Sequence, residues 1–118
     1  MDILPKCKSH LERLIRATSE TGGAFWPSVL DVRTGRYPQD DHVPERVYRL
    51  IGAPRGSTLY WDQPMIVAAN VLSELTDDPH YARAAERYVD AFLSRCVAEN
   101  GMLGWGNDSY YDVFKDDV

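Results

Sequence analysis

Cysteine and histidine are scarce in this chain: Cys7 and Cys96 are its two cysteines, and His10, His42 and His80 its three histidines. Two cysteines so far apart exclude a disulfide-dense scaffold and a zinc ribbon. The histidines are scattered, one on a polar helix face and two in loops or caps, so neither a metal nor another cofactor is expected. A basic surplus is lacking too, with 13 Lys and Arg against 18 Asp and Glu and a net charge of -5. That balance weighs against a nucleic-acid partner, which needs cations to neutralise phosphates. No apolar run approaches the roughly 20 residues of a membrane span, so no membrane association is expected. The opening Met1-Asp2-Ile3-Leu4-Pro5 has no basic region followed by an apolar one, which is not a signal peptide. As written, the chain is expected to be soluble and cytoplasmic, and extracellular or periplasmic if its true start lies upstream. The glycine-rich stretch from Gly52 to Gly56 lacks the Gly-Lys-Ser/Thr ending of a phosphate loop, and Ser57 has no glycine two residues before it. A nucleotide-phosphate cradle and a nucleophile elbow are therefore absent.

What remains is ordinary globular composition: 118 residues, 44% apolar and 26% charged, enough for one domain. From about Leu4 to Ser19, Leu4, Cys7, Leu11, Leu14 and Ile15 recur at helical steps, Pro5 suits the first turn, and Gly22-Gly23 ends the run. Residues 28–38 admit a short β-hairpin or a helix-flanking loop. A short helix is predicted over about Pro44 to Ile51. Asp62-Gln63-Pro64 predicts a second long helix with Asp62 as its cap, running to about Leu75 with Met65, Ala68, Ala69, Leu72 and Leu75 on one side. Asp78-Pro79 restarts the chain into a third, with Ala82, Ala85, Val89, Phe92, Leu93 and Cys96 on its stripe and Asn100-Gly101 as its end. Two helices joined by so short a turn are antiparallel. The start of the second and the segment after the third therefore share one end, the third overhanging by roughly 10 Å at 1.5 Å per residue.

That shared end carries the chemistry. Tyr60, Trp61, Trp105, Tyr110 and Tyr111 offer flat faces of the kind that stack beneath sugar rings. Asp62, Gln63, Asn107, Asp108 and Asp112 offer carboxylates and amides for hydroxyl groups. Of these, Tyr60, Trp61, Gln63, Trp105, Asn107 and Tyr111 are the candidate substrate-binding residues. Asp62, Asp108 and Asp112 are the candidate catalytic carboxylates, since paired carboxylates about 5–9.5 Å apart serve as acid and base in glycoside chemistry. For any one residue, packing under a loop or capping a helix is the simpler reading; it is the meeting of two such clusters that favours a site. Arg46, Arg49 and Arg55 fit either a solvated polar loop or a patch for a carboxylated sugar.

Tyr60 through Pro64, the turn Leu75-Thr76-Asp77-Asp78-Pro79-His80-Tyr81, and Asn100-Gly101-Met102 through Trp105-Gly106 resemble the helical-hairpin units of six-hairpin (α/α)6-toroid proteins. Gly22-Gly23-Ala24-Phe25-Trp26 is similar to the opening of such toroids. The resemblance covers most of the chain. It implies an all-α fold of antiparallel helical hairpins and a carbohydrate substrate, as in polysaccharide lyases, unsaturated-uronyl hydrolases, other glycosidases and the N-acylglucosamine 2-epimerase group. It implies lyase elimination or glycoside hydrolysis on a poly- or oligosaccharide, uronate-containing chains included. In some relatives a histidine follows the tryptophan-glycine loop; here Asn107 and Asp108 stand there, a departure that weighs against a histidine-based metal or proton-transfer role at this loop. A complete ring needs about twelve helices, so residues 1–118 are read as a single incomplete domain, an amino-terminal portion expected to be inactive by itself. The competing reading is a helical-repeat interaction module without catalysis.

Overall fold

The computed structural model describes residues 2–39, 45–46, 56–103 and 111–112. The domain is mostly helical, with three helices and a two-strand antiparallel sheet among the described residues. Helix α1 (Leu4–Ala17) starts with Pro5 in its first turn and with the Asp2 carboxylate accepting the Leu4 N–H at 3.1 Å. Its amino-terminal half lies exposed, Leu4 and Cys7 included, and it is anchored by Leu11, Leu14 and Ala17. A 3₁₀ turn over Thr18–Thr21 follows, and Gly22 stops it at φ 85°, a left-handed conformation that glycine adopts without penalty.

Two longer helices form the body. Helix α2 (Leu59–Thr76) and helix α3 (His80–Cys96) pack antiparallel about a tight turn. In that turn the Asp78 carboxylate accepts the His80 N–H at 3.0 Å, and the Ser73 hydroxyl accepts the Ala82 N–H at 2.9 Å. The α3 stripe is Tyr81, Ala84, Ala85, Tyr88, Phe92 and Cys96, at the three- and four-residue steps of a buried helical face. Leu93, assigned to that stripe from the sequence, is instead exposed.

Two boundaries differ from the sequence reading. Helix α2 starts at Leu59 with Thr58 at the cap position, so Asp62 sits one turn inside the helix and is not its cap. Pro64 lies inside as well. Its missing N–H leaves the Tyr60 carbonyl without its usual donor, and the Gln63 side-chain amide supplies one at 3.2 Å. Helix α3 ends at Cys96, because Asn100-Gly101 forms the tip of a reverse turn bridged at Val97–Leu103. There Ala98 donates to the Met102 carbonyl at 2.8 Å, and Gly101 takes φ 81°. The two helices are thus 18 and 17 residues long, and the expected overhang is absent.

Strand β1 (Gly56–Ser57) pairs with strand β2 (Tyr111–Asp112), with Gly56 opposite Asp112 and Ser57 opposite Tyr111. This pairing returns the chain after α3 to the start of α2. Residues 28–38 form one turn closed by a single Asp31–Arg36 bridge, with Gly35 at φ 69°. Of the predicted helix at 44–51, Glu45 and Arg46 are helical and the rest lies outside the described residues. Among the described residues no helix is long and apolar enough to cross a membrane.

Candidate functional site

The segment 24–28 contacts both the sheet and the helical pair, and Phe25 and Trp26 belong to the hydrophobic core. Phe25 stacks on Tyr111 with ring centroids 4.2 Å apart and planes 18° apart, and meets Tyr88 edge-on at 6.0 Å. Trp26 lies over Tyr88 at 5.6 Å. The Arg95 guanidinium stands 5.4 Å from the Phe25 ring and 5.8 Å from Tyr111, within cation–π range of both. The backbone of this irregular segment finds partners among buried hydroxyls. Tyr37 donates to the Phe25 carbonyl at 2.8 Å and Ser57 to the Trp26 carbonyl at 2.5 Å.

Asp62 lies in this setting. Starting α2 at Leu59 rather than at Asp62 turns its carboxyl inward, leaving it 6% exposed. Its Oδ2 accepts hydrogen bonds from the Tyr88 hydroxyl at 2.5 Å and the Ser28 hydroxyl at 2.7 Å. Ser28 in turn accepts the Thr58 N–H at 2.9 Å, so one serine joins the helix start to the carboxyl. Burial pushes the Asp62 pKa up to about 6, against the opposing pull of the hydrogen bonds from Tyr88, Ser28 and the Thr58 backbone. Burial, followed by the neighbouring Asp62 charge, drives the Tyr88 phenol well above its usual range, so Tyr88 stays a donor at any physiological pH. The result is a carboxyl that changes protonation near neutrality and holds two fixed donors.

Immediately before it, Tyr60 and Trp61 are 41% and 49% exposed and meet edge-on at 5.4 Å. An aromatic pair facing solvent and a buried titrating carboxyl thus occupy consecutive positions of one helical turn. Gln63 is exposed and engaged with the Tyr60 carbonyl. Strand β2 brings Tyr111, buried, and Asp112, half-buried, to the same end of the α2–α3 pair through β1. Trp105, Asn107, Asp108 and Tyr110 lie outside the described residues, so the structure does not place them relative to Trp61. Arg49 and Arg55 also fall outside, while Arg46 is exposed. Among the described residues no three His, Cys, Asp or Glu side chains gather as metal ligands.

Tyr88, Ser28 and Ser57 are the members of this cluster that the sequence reading missed. Tyr88 carried a signal: Tyr81, Ala85, Tyr88, Phe92 and Cys96 follow a 4-3-4-4 spacing, and counting tyrosine as apolar would have placed it inside. Ser28 and Ser57 carried none, because their roles depend on contacts with residues about thirty positions away.

The outer side of α2 completes the geometry. Tyr60, Pro64, Val67, Val71 and Leu75 fall within one narrow sector at 100° per residue, opposite the buried Asp62, Ala69, Leu72 and Ser73. Val67, Val71 and Leu75 are all exposed, Leu75 at 68%, which reverses the inward position read for Leu75 from the sequence. Helix α2 is therefore apolar on both faces, the pattern of a helix enclosed on two sides. No family model, curated protein or solved structure matches this chain.

Proposed function

We propose that this chain is a portion of a carbohydrate-active (α/α)-toroid protein that acts on a poly- or oligosaccharide, uronate-containing chains included, by lyase elimination or glycoside hydrolysis. One observation carries the reading: the exposed Tyr60–Trp61 pair directly precedes a buried carboxyl whose pKa is about 6. Aromatic faces pack on the C–H surface of a sugar ring, and a carboxyl poised near neutrality suits proton transfer at a glycosidic or uronyl centre. In this reading Trp61 is the platform and Asp62 the group that gives or takes the proton. Tyr88 and Ser28 fix its orientation. Asp112, at the same end, is the second carboxylate of the pair that such chemistry uses. The two-faced apolar character of α2 also fits a toroid, where an inner helix has neighbours on both sides.

The test is titration of the chain with a neutral cello-oligosaccharide and with an oligogalacturonate, followed by tryptophan fluorescence. Trp61→Ala is expected to weaken binding of whichever sugar binds by about 1–3 kcal/mol, or roughly 5- to 150-fold. Equal affinity in wild type and Trp61→Ala would remove the platform, and binding of neither sugar would remove the reading.

A second reading, a helical-repeat interaction module, is favoured by the Tyr60, Pro64, Val67, Val71 and Leu75 stripe, whose spacing fits an apolar helix of a neighbouring hairpin laid along α2. It expects no sugar binding and a stripe-dependent protein contact.

A further inference from the structure

A cavity of about 420 Å³ lies between the carboxyl-terminal half of α1 and the 31–36 turn, on elements other than those that carry the aromatic pair. Four arginines line it. Arg13 and Arg16 come from α1, one turn apart, and Arg33 and Arg36 come from the turn, with Ser19 and Thr34 beside them. Among the described residues no carboxylate lines it, and neither Arg13 nor Arg16 forms an ion pair. This concentration of cations stands against a net charge of -5, so overall composition does not account for it.

The helix dipole accounts for only part of it. Arg16, in the last turn of α1, offsets the partial negative charge at the helix end. Arg13 lies a turn earlier, and the other two arginines arrive from a separate element. The carbonyls at the end of α1, which would repel an anion, are partly occupied: the Thr18 hydroxyl donates to the Ile15 carbonyl at 2.7 Å and the Ser19 hydroxyl to that of Arg16 at 2.8 Å.

The opposite wall is held in shape. Asp31 donates its N–H to the Arg36 carbonyl at 2.9 Å, and its carbonyl accepts the Gly35 N–H at 2.8 Å, which fixes the turn. The Asp31 carboxylate binds the Arg33 side chain through Nε at 3.3 Å and Nη2 at 3.1 Å, and the Arg33 N–H at 2.9 Å. That carboxylate orients one guanidinium without entering the cleft. Planar guanidinium groups recognise carboxylate and phosphate oxygens two hydrogen bonds at a time. Arg33 is already paired with Asp31, so, among the described residues, the positive charge without an ion pair at the cleft is that of Arg13 and Arg16. The volume is that of a small-molecule site rather than of a macromolecular surface.

We infer that this cleft is a binding site for a small polyanion bearing phosphate or carboxylate groups, gripped between the α1 arginines and the turn arginines. The test is calorimetric titration of the whole chain at low salt with inorganic pyrophosphate and, separately, with citrate. Saturable binding of either supports the site, and the tighter of the two identifies the group it takes. Arg13→Gln with Arg16→Gln is expected to weaken binding about tenfold or more. Lys8→Gln with Arg87→Gln removes the same charge from exposed positions that do not line the cleft and is expected to leave affinity within about twofold. Circular dichroism checks that each variant keeps its helices. Equal losses in the two double variants, or no binding of either anion, would overturn the site. Neither result bears on the titration with the neutral cello-oligosaccharide, and the variant that tests the sugar platform is on α2.

Discussion

Asp62→Asn is expected to make the protein more stable at neutral pH. The folded state raises the Asp62 pKa from 3.8 to about 6, chiefly by burial. The folded chain therefore binds this proton more tightly than the unfolded chain. Its contribution to stability is fully present below the unfolded pKa and is lost as pH rises through the folded one. At about 1.4 kcal/mol for each pH unit between those values, burying this carboxyl costs about 3 kcal/mol near pH 7.5, where it stays ionised, and about 1 kcal/mol near pH 4.5, where the folded protein takes up a proton that the unfolded chain has mostly lost. Asparagine stands in for the protonated carboxyl: it keeps an oxygen for Tyr88 and Ser28 and carries no charge. Urea denaturation of both proteins at the two pH values measures the gap. The variant should lead by about 3 kcal/mol at the higher pH, and the lead should shrink by about 2 kcal/mol at the lower. Comparing the two proteins is essential, because Asp31 works in the opposite direction. The hydrogen bonds and charge of Arg33 hold its pKa below the usual carboxylate range, so its contribution is lost on acidification. That contribution is common to both chains and cancels. An Asn variant that folds but is less stable at pH 7.5, or a gap that does not change with pH, would refute the burial argument.

Two further outcomes follow from the same contacts. Tyr88→Phe removes a donor from a buried carboxylate and should cost about 1.5–3 kcal/mol at pH 7.5, but less at pH 4.5 where Asp62 is protonated; the same denaturation series reads it. Val71→Lys with Leu75→Lys places charge on the outer stripe of α2 and should leave the melting temperature nearly unchanged while reducing self-association in gel filtration; a large drop in melting temperature would mean the stripe is covered within the chain.

The helical pair was legible because its signals are local. The Asp78-Pro79 restart and the apolar spacing of residues 81 to 96 depend on neighbours within a turn or two. The errors come from signals that fit more than one structure. Asp62-Gln63-Pro64 satisfies a capping rule, yet Thr58 and Leu59 start the helix because β1 holds the preceding chain and Gln63 compensates for Pro64. Asn100-Gly101 suits a helix end and a tight hairpin tip alike, and the Val97–Leu103 bridge decides for the latter. Leu75 fits either of the two apolar faces of α2, so periodicity could not assign it. At the candidate site, Tyr60 and Trp61 were visible as residue types. The inward turn of Asp62 and its serine partner were not, because they rest on pairings between segments remote in sequence.

The stacking of Phe25 on Tyr111 bears on the order in which the molecule assembles. The α2–α3 pair joins residues separated by a short turn, so its closure loses little chain entropy and it can form early. The Phe25–Tyr111 contact, with the β1–β2 pairing beside it, joins segments separated by most of the chain and is closed by two residues on each strand. Such a clasp completes last and opens first, without melting the helices beneath it. Phe25 and Trp26 pack on Tyr88, whose hydroxyl holds the Asp62 carboxyl, so the clasp adjoins the buried carboxyl through one tyrosine. The burial that raises the proton affinity of Asp62 thus shares its aromatic surroundings with a contact between segments 86 residues apart.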